Sequence, residues 1–230
     1  MSRIGEALAS KFVLLVSLTR NDPHLARIAL ENGADAIKVH LNCAHFASGT
    51  NFGSWEEEKE RVLEVAQVVQ PHIPLGIVTG AEEVPPEADL EDIGRQGFDF
   101  WDLFANHLPP AYLDWPKMGR MAAVGPDWTP DFVRRLVGWG VEIIESSIIP
   151  RSLYRTRLTA ADLCHYQHLV ESAGVPVIVP TQKRVTPKEV EYLKRAGVKG
   201  LAIGAVVTDL GDKFLGERVR AFREAIDALK

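Results

Sequence analysis

The sequence predicts an α/β fold, a single (β/α)8 TIM barrel over residues 1–230 with a short N-terminal helix. Three observations predict it. Short apolar runs alternate with helix-length segments from end to end, which implies parallel strands joined by crossover helices. The helix ends carry matched start and stop signals. The length of 230 residues is close to the about 250 that such a barrel usually takes.

The predicted strands are Phe12–Leu18, Ala36–Asn42, Leu75–Thr79, Phe98–Ala105, Arg120–Val124, Val141–Ser146, Val177–Thr181 and Leu201–Val206. Ahead of the first, MSRIGEALASKF reads as an amphipathic helix and not as a secretory leader, since no continuous apolar stretch follows. Helices stop at Gly33, Gly97, Gly140, Gly174 and Gly197, each leading straight into a strand. Glycine enters the left-handed conformation that ends a helix without steric cost. Helices start at Asp22-Pro23, Thr129-Pro130 and Thr186-Pro187-Lys188-Glu189, where a capping side chain precedes proline, and at Thr159 with Asp162. A doubly wound open sheet is the rival. It calls for a glycine-rich turn after the first strand, and Thr19-Arg20-Asn21-Asp22-Pro23 stands there instead.

No linker or low-complexity tract divides the chain, so one domain is expected. The longest irregular stretches, Cys43–Trp55, Gly80–Asp89 and Asn106–Lys117, each follow a strand, where barrels place functional loops. A formal net charge of −5 and no basic stripe argue against a nucleic-acid partner. No apolar run approaches the ~18 residues that cross a bilayer. Cys43 and Cys164 form no disulfide framework, which fits a reducing, cytoplasmic setting. Trp115, Trp128 and Trp139 suit either ordinary packing or the interface of a homo-oligomer.

The segment from Gly174 through Val177-Ile178-Val179-Pro180-Thr181, Thr186-Pro187-Lys188-Glu189-Val190 and Ala196-Gly197-Val198-Lys199-Gly200 to Gly204-Ala205 has a recognisable pattern. It resembles strands seven and eight of the phosphate-binding barrels: tryptophan synthase alpha subunit, thiamine-phosphate synthase, N-acetylmannosamine-6-phosphate 2-epimerase and the FMN-dependent barrels. The resemblance implies a small phosphorylated substrate, held by backbone N–H groups at Gly204 and Ala205. The chain departs from those relatives at Thr181-Gln182-Lys183-Arg184, where they place glycines. A cation at Lys183 or Arg184 would there replace the missing amides, beside Thr181, unless the side chains fill the anion site.

The second predicted strand carries the chemistry. In Ala36-Ile37-Lys38-Val39-His40-Leu41-Asn42 the odd positions are aliphatic, so Lys38, His40 and Asn42 share the interior face. A lysine inside a barrel needs a partner or a depressed pKa. It serves as an acid–base group, as a Schiff-base amine, or as half of an inert ion pair with Glu145 or Asp102. Glu145 ends the sixth predicted strand, opposite the second, and suits proton transfer on the other side of a substrate. Which face of the fourth strand carries Asp102 and Asn106 is not settled by pattern.

No metal is expected, since His40, Cys43 and His45 match no strong ligand spacing. His165 and His168 lie within a helix, away from the mouth. Residues 47–55 suit a lid, or a turn into a helix capped by Ser54.

The leading expectation is a sugar-phosphate isomerase or epimerase that needs no cofactor. Lys38, His40 and Glu145 would be the catalytic residues. Asn42, Asn106, Thr181, Lys183, Arg184, Gly204 and Ala205 would bind substrate. Alternatives are a Schiff-base lyase or synthase using Lys38, an FMN-binding oxidoreductase, and a barrel that binds a ligand without turnover.

Overall fold

Eight parallel strands close into a barrel in the computed structural model, which describes residues 2–115, 118–208 and 212–229. The staves are β1 (Val13–Ser17), β2 (Ala36–His40), β5 (Leu75–Val78), β6 (Phe100–Phe104), β7 (Gly119–Val124), β8 (Ile143–Ser146), β9 (Val177–Pro180) and β10 (Gly200–Ile203). Their order around the barrel follows the chain, and β10 pairs with β1 to close it. The remaining two strands, β3 (Cys43–His45) and β4 (Thr50–Phe52), form an antiparallel hairpin after the second stave. All eight predicted staves are present.

Two hydrophobic shells follow from strand alternation. Ile37 and Val39 of the second stave, with Leu41 just past its end, join Trp101, Leu103, Ile144 and Val179 in the shell between strands and helices. Val13, Leu15, Ala36, Phe100, Met121, Ile143, Ile178 and Ala202 fill the barrel itself. At its N-terminal end the barrel is plugged by α1 (Arg3–Ser10), whose Ile4 and Leu8 belong to the same inner cluster. The amphipathic start of the chain is therefore a stopper. Ser2 caps this helix and lies so near Gly119 that a Cβ there would stand 2.5 Å from its Oγ.

The punctuation is realised as read. Gly33, Gly97, Gly140, Gly174 and Gly197 all have φ between 67 and 100°. Asp22 and Thr129 cap helices that begin with proline, and Thr159 with Asp162 and Thr186 with Glu189 form capping boxes. Ser54 with Glu57 does the same for α3 (Trp55–Val69). Two predicted strand ends are corrected. The second stave stops at His40, because Asn42 takes a left-handed φ of 47° and its amide bonds Gly53 in the hairpin. The last stave stops at Ile203, because the Gly204 carbonyl accepts from Val207 and Thr208 and turns residues 205–208 into a helix. The loop read as Asn106–Lys117 holds two 3-10 turns, Ala105–His107 and Pro110–Asp114, and its last two residues lie outside the described set. No helix among the described residues is long and apolar enough to cross a membrane.

One glycine is demanded by the interior. Gly76 of the third stave stands between Lys38 and Phe100 in register, and a Cβ there would lie 2.1 Å from the fully buried Phe100 ring. Gly76→Ala is expected to lower unfolding free energy by about 1–3 kcal/mol, the usual cost of overpacking. Urea denaturation of the two proteins measures the difference.

Candidate active site

Barrel interiors are filled in layers contributed by alternate staves. Above the floor of Phe100, Ile143 and Ile178, the second, fourth and sixth staves contribute Lys38, Asp102 and Glu145. The eighth contributes only Ala202 and, past its end, Gly204. Three long charged groups thus face one side of small residues. All three are buried, at 5%, 2% and 6% exposure.

Lys38 Nζ donates to Asp102 Oδ2 at 2.5 Å and to Glu145 Oε2. This resolves the parity of the fourth stave: Asp102 points inward with Phe100, while Trp101 and Leu103 point outward. Burial alone would lower the Lys38 pKa, but the two carboxylates outweigh it and raise the pKa above its ordinary value. The carboxylates then divide. Burial and the neighbouring Glu145 charge push Asp102 up to about 8. Burial opposes ionisation of Glu145 too, but the Lys38 ammonium and hydrogen bonds from Asp102 and Ser147 hold it below the usual range. Ser147 Oγ donates to Glu145 Oε1 at 3.0 Å. The directions are those of an ammonium beside two carboxyl groups, one favoured as the anion and the other as the acid.

His40 lies one turn of the pleat above Lys38. Its Nε2 stands 3.3 Å from Ser17 Oγ, and its ring stacks on Phe52 at 4.8 Å and lies 5.0 Å from His45. Burial, then the His45 and Lys38 charges, hold its pKa well below the ordinary value; burial and Lys38 lower His45 to about 4. Both imidazoles are neutral near pH 7. Two buried atoms in this region have no protein partner, His40 Nδ1 and Asp102 Oδ1. Orphaned polar atoms inside a core call for a ligand or water.

The hairpin spans the mouth. Its turn brings Phe46 edge-on to Tyr154 at 5.2 Å, with the Arg151 guanidinium 5.0 Å from the Phe46 ring, and Arg155 donates to the Ala47 carbonyl at 2.7 Å. Residues 47–55, read as a lid or a turn into a helix, hold the hairpin turn and β4 and lead into α3 through the Ser54 cap. The sequence reading missed the hairpin strands, the Tyr154 contact, and the roles of Ser17 and Ser147. The signal for the hairpin was Gly49 within a short polar turn, φ 69°.

The remaining expected site residues scatter. Asn42 gives its side-chain amide to the Thr79 carbonyl at 3.1 Å. Asn106 is exposed in the 3-10 turn after the fourth stave. Thr181 Oγ1 accepts the Gly204 amide at 3.1 Å, so that N–H is already engaged, whereas Ala205 opens the short helix that follows. Lys183 pairs with Asp162 at 3.3 Å, and Arg184 is exposed. Among the described residues no group of three or more His, Cys, Asp or Glu is placed to hold a metal ion.

This geometry defines the class: a (β/α)8 barrel with a buried lysine–carboxylate triangle near its C-terminal mouth. No protein-family model matches the chain, and no curated protein matches it. Solved structures do. Thiamine phosphate pyrophosphorylase from Pyrococcus furiosus is 17% identical with a TM-score of 0.68, over 96% of this chain and 98% of its own. Tryptophan synthase from M. tuberculosis, in an open form with BRD0059 bound, is 14% identical with a TM-score of 0.73, over 100% of both chains. A cube-shaped designed protein cage is 17% identical with a TM-score of 0.66, over 94% of this chain and 72% of its own. At these identities the likeness establishes the shared barrel fold.

Asp102 sets a pH dependence. Its folded pKa of about 8 exceeds the ordinary value of 3.8, so the folded protein retains a proton that the unfolded chain releases. The stability this proton confers is complete below about pH 4 and is lost as pH rises through about 8. Asp102→Asn is expected to remove that downward slope, as measured by urea midpoints from pH 5 to 8.5.

Proposed function

We propose that this chain is an enzyme that moves a proton beside the carbonyl of a small phosphorylated metabolite, as a sugar-phosphate isomerase or epimerase does. The observation that carries the reading is the Lys38–Asp102–Glu145 triangle with its divided protonation. Such a reaction needs a base for the carbon-bound proton, an acid to return one, and positive charge near the developing enolate oxygen. Ionised Glu145 is the base, neutral Asp102 the acid, and the Lys38 ammonium the electrophile. His40, neutral and with Nδ1 unpartnered, orients a substrate hydroxyl or carbonyl. Asn42 holds the hairpin root through Thr79.

For the phosphate, the reading uses the Ala205 amide and the close approach that a side-chain-free Gly204 allows, since the Gly204 N–H is held by Thr181. Gly204 has an ordinary negative φ, and a Cβ built on it would meet Ser17 at an unstrained 3.5 Å. Neither conformation nor packing demands glycine there, which supports a role in admitting a ligand close to the main chain. One of the similar structures, thiamine phosphate pyrophosphorylase, is named for a phosphate ester. A Schiff-base lyase is the alternative. The raised pKa of Lys38 weighs against it, since the attacking amine must be neutral.

Incubation with aldose and ketose phosphates in D2O tests the proposal. One of them should gain solvent deuterium on the carbon next to the carbonyl, and Glu145→Gln and Lys38→Met should slow this by about 10²–10⁴-fold. No exchange with any sugar phosphate, together with borohydride trapping of a carbonyl substrate on Lys38, would establish the lyase instead. Gly204→Ala should raise KM for the phosphorylated substrate while leaving the urea midpoint unchanged. A midpoint that falls with no change in KM would give Gly204 a purely structural role.

A further inference from the structure

The loops after β7, β8 and β9 enclose a groove of about 700 Å³ outside the barrel interior, within the size range of small-molecule sites. Trp128, Ile148, Leu153 and His165 line it, and buried Lys183 and Asp162 meet within it.

The loop after β9 faces two compartments. Thr181 Oγ1 accepts the Gly204 amide, on the barrel side. Gln182 is buried between, donating to the Tyr154 hydroxyl at 2.5 Å and accepting from the Ile149 amide at 3.1 Å. Lys183 lines the groove, with Thr156 Oγ1 at 3.0 Å and Asp162 Oδ2 at 3.3 Å. The cations read from sequence as holding a phosphate beside Gly204 therefore stand at a different place.

Beside them the backbones of Arg157 and Arg184 pair in a parallel bridge, which brings the two residues side by side. Both are exposed, and Arg157 lines the groove. Among the described residues neither has a carboxylate partner. Asp162, the carboxylate lining the groove, is occupied: the same oxygen accepts the Thr159 amide and hydroxyl, each at 2.8 Å, and meets Lys183. In a chain of net charge −5, two adjacent uncompensated guanidiniums attract an anion, and arginine suits a phosphate. The neighbouring wall is aromatic and aliphatic.

We infer that this groove is a second ligand site, separate from the barrel interior, for a phosphomonoester on a flat ring, the chemistry of a nucleoside monophosphate. Its phosphate lies against Arg157, which lines the groove, with Arg184 bridged to it alongside, and its ring lies against Trp128. The inference does not depend on which reaction the barrel runs.

Calorimetric titration of the full chain at low salt with adenosine 5′-monophosphate, adenosine and inorganic phosphate tests it. The monophosphate should bind at least about tenfold more tightly than adenosine or phosphate alone. Arg157→Ala and Arg184→Ala should each weaken it by about tenfold, the scale of one charge-assisted hydrogen bond, and Trp128→Ala should also weaken it. Lys38→Met should leave it unchanged. Circular dichroism checks that each variant is folded; the exposed arginines make this a mild change. No binding of the monophosphate would overturn the site, as would binding unaffected in Arg157→Glu. Binding lost in Lys38→Met and kept in Arg157→Ala would move the ligand into the barrel and overturn it equally. Deuterium exchange that fails while monophosphate binding persists would remove the proposed reaction and leave this site standing.

Discussion

A single ammonium inside the barrel, that of Lys38, organises the interior. Without it, Asp102 and Glu145 would be two acids facing each other in an apolar enclosure floored by Phe100, Ile143 and Ile178. With it, one carboxylate is stabilised as an anion and the other is left holding a proton. A buried ion pair contributes little net stability, because desolvation offsets much of its attraction. Three such groups where aliphatic side chains would fill the layer are the observation on which the proposed proton transfer rests. The floor, the plug made by α1 and the close fit of Gly76 under Phe100 close that enclosure from below.

The mouth is covered by chain that starts on one side of the barrel and is fastened on the other. The hairpin leaves the second stave and meets Tyr154, Arg151 and Arg155 after the sixth. Lys38 and Glu145 belong to those same two staves, so the clasp crosses above the triangle. Under the proposed function these contacts would open to admit a substrate and close to exclude water from the developing charge. His40 links lid and interior, stacking on Phe52 of the hairpin and approaching Ser17 of the first stave.

Asp162 shows how one residue joins folding to the surface chemistry. It closes the capping box with Thr159 at the start of α6 (Ala160–Ala173) and neutralises Lys183. With that carboxylate committed, Arg157 and Arg184 have no carboxylate partner among the described residues. The groove and the barrel interior are consequently separated by a buried glutamine, Gln182, whose amide group ties the loops after the sixth and seventh staves together.

Sequence alone determined the barrel, because its signals are local: alternating apolar runs, glycines at left-handed helix ends and capping side chains act within a few residues of themselves. It also placed Lys38 and His40 inside, since strand parity is a property of the strand. It could not assign Asp102 a direction, because the two faces of its strand are equally apolar and only packing of Phe100 across Gly76 decides between them. Nor could it say that Lys183 meets Asp162, or that Arg157 stands beside Arg184, since those contacts join separate loops. Asn42 left the interior because the hairpin, a pairing of β3 with β4, turned the backbone at that point. Tertiary structure decided which charges are paired and which remain available, because pairing depends on distances that closing the barrel sets between residues far apart in the chain.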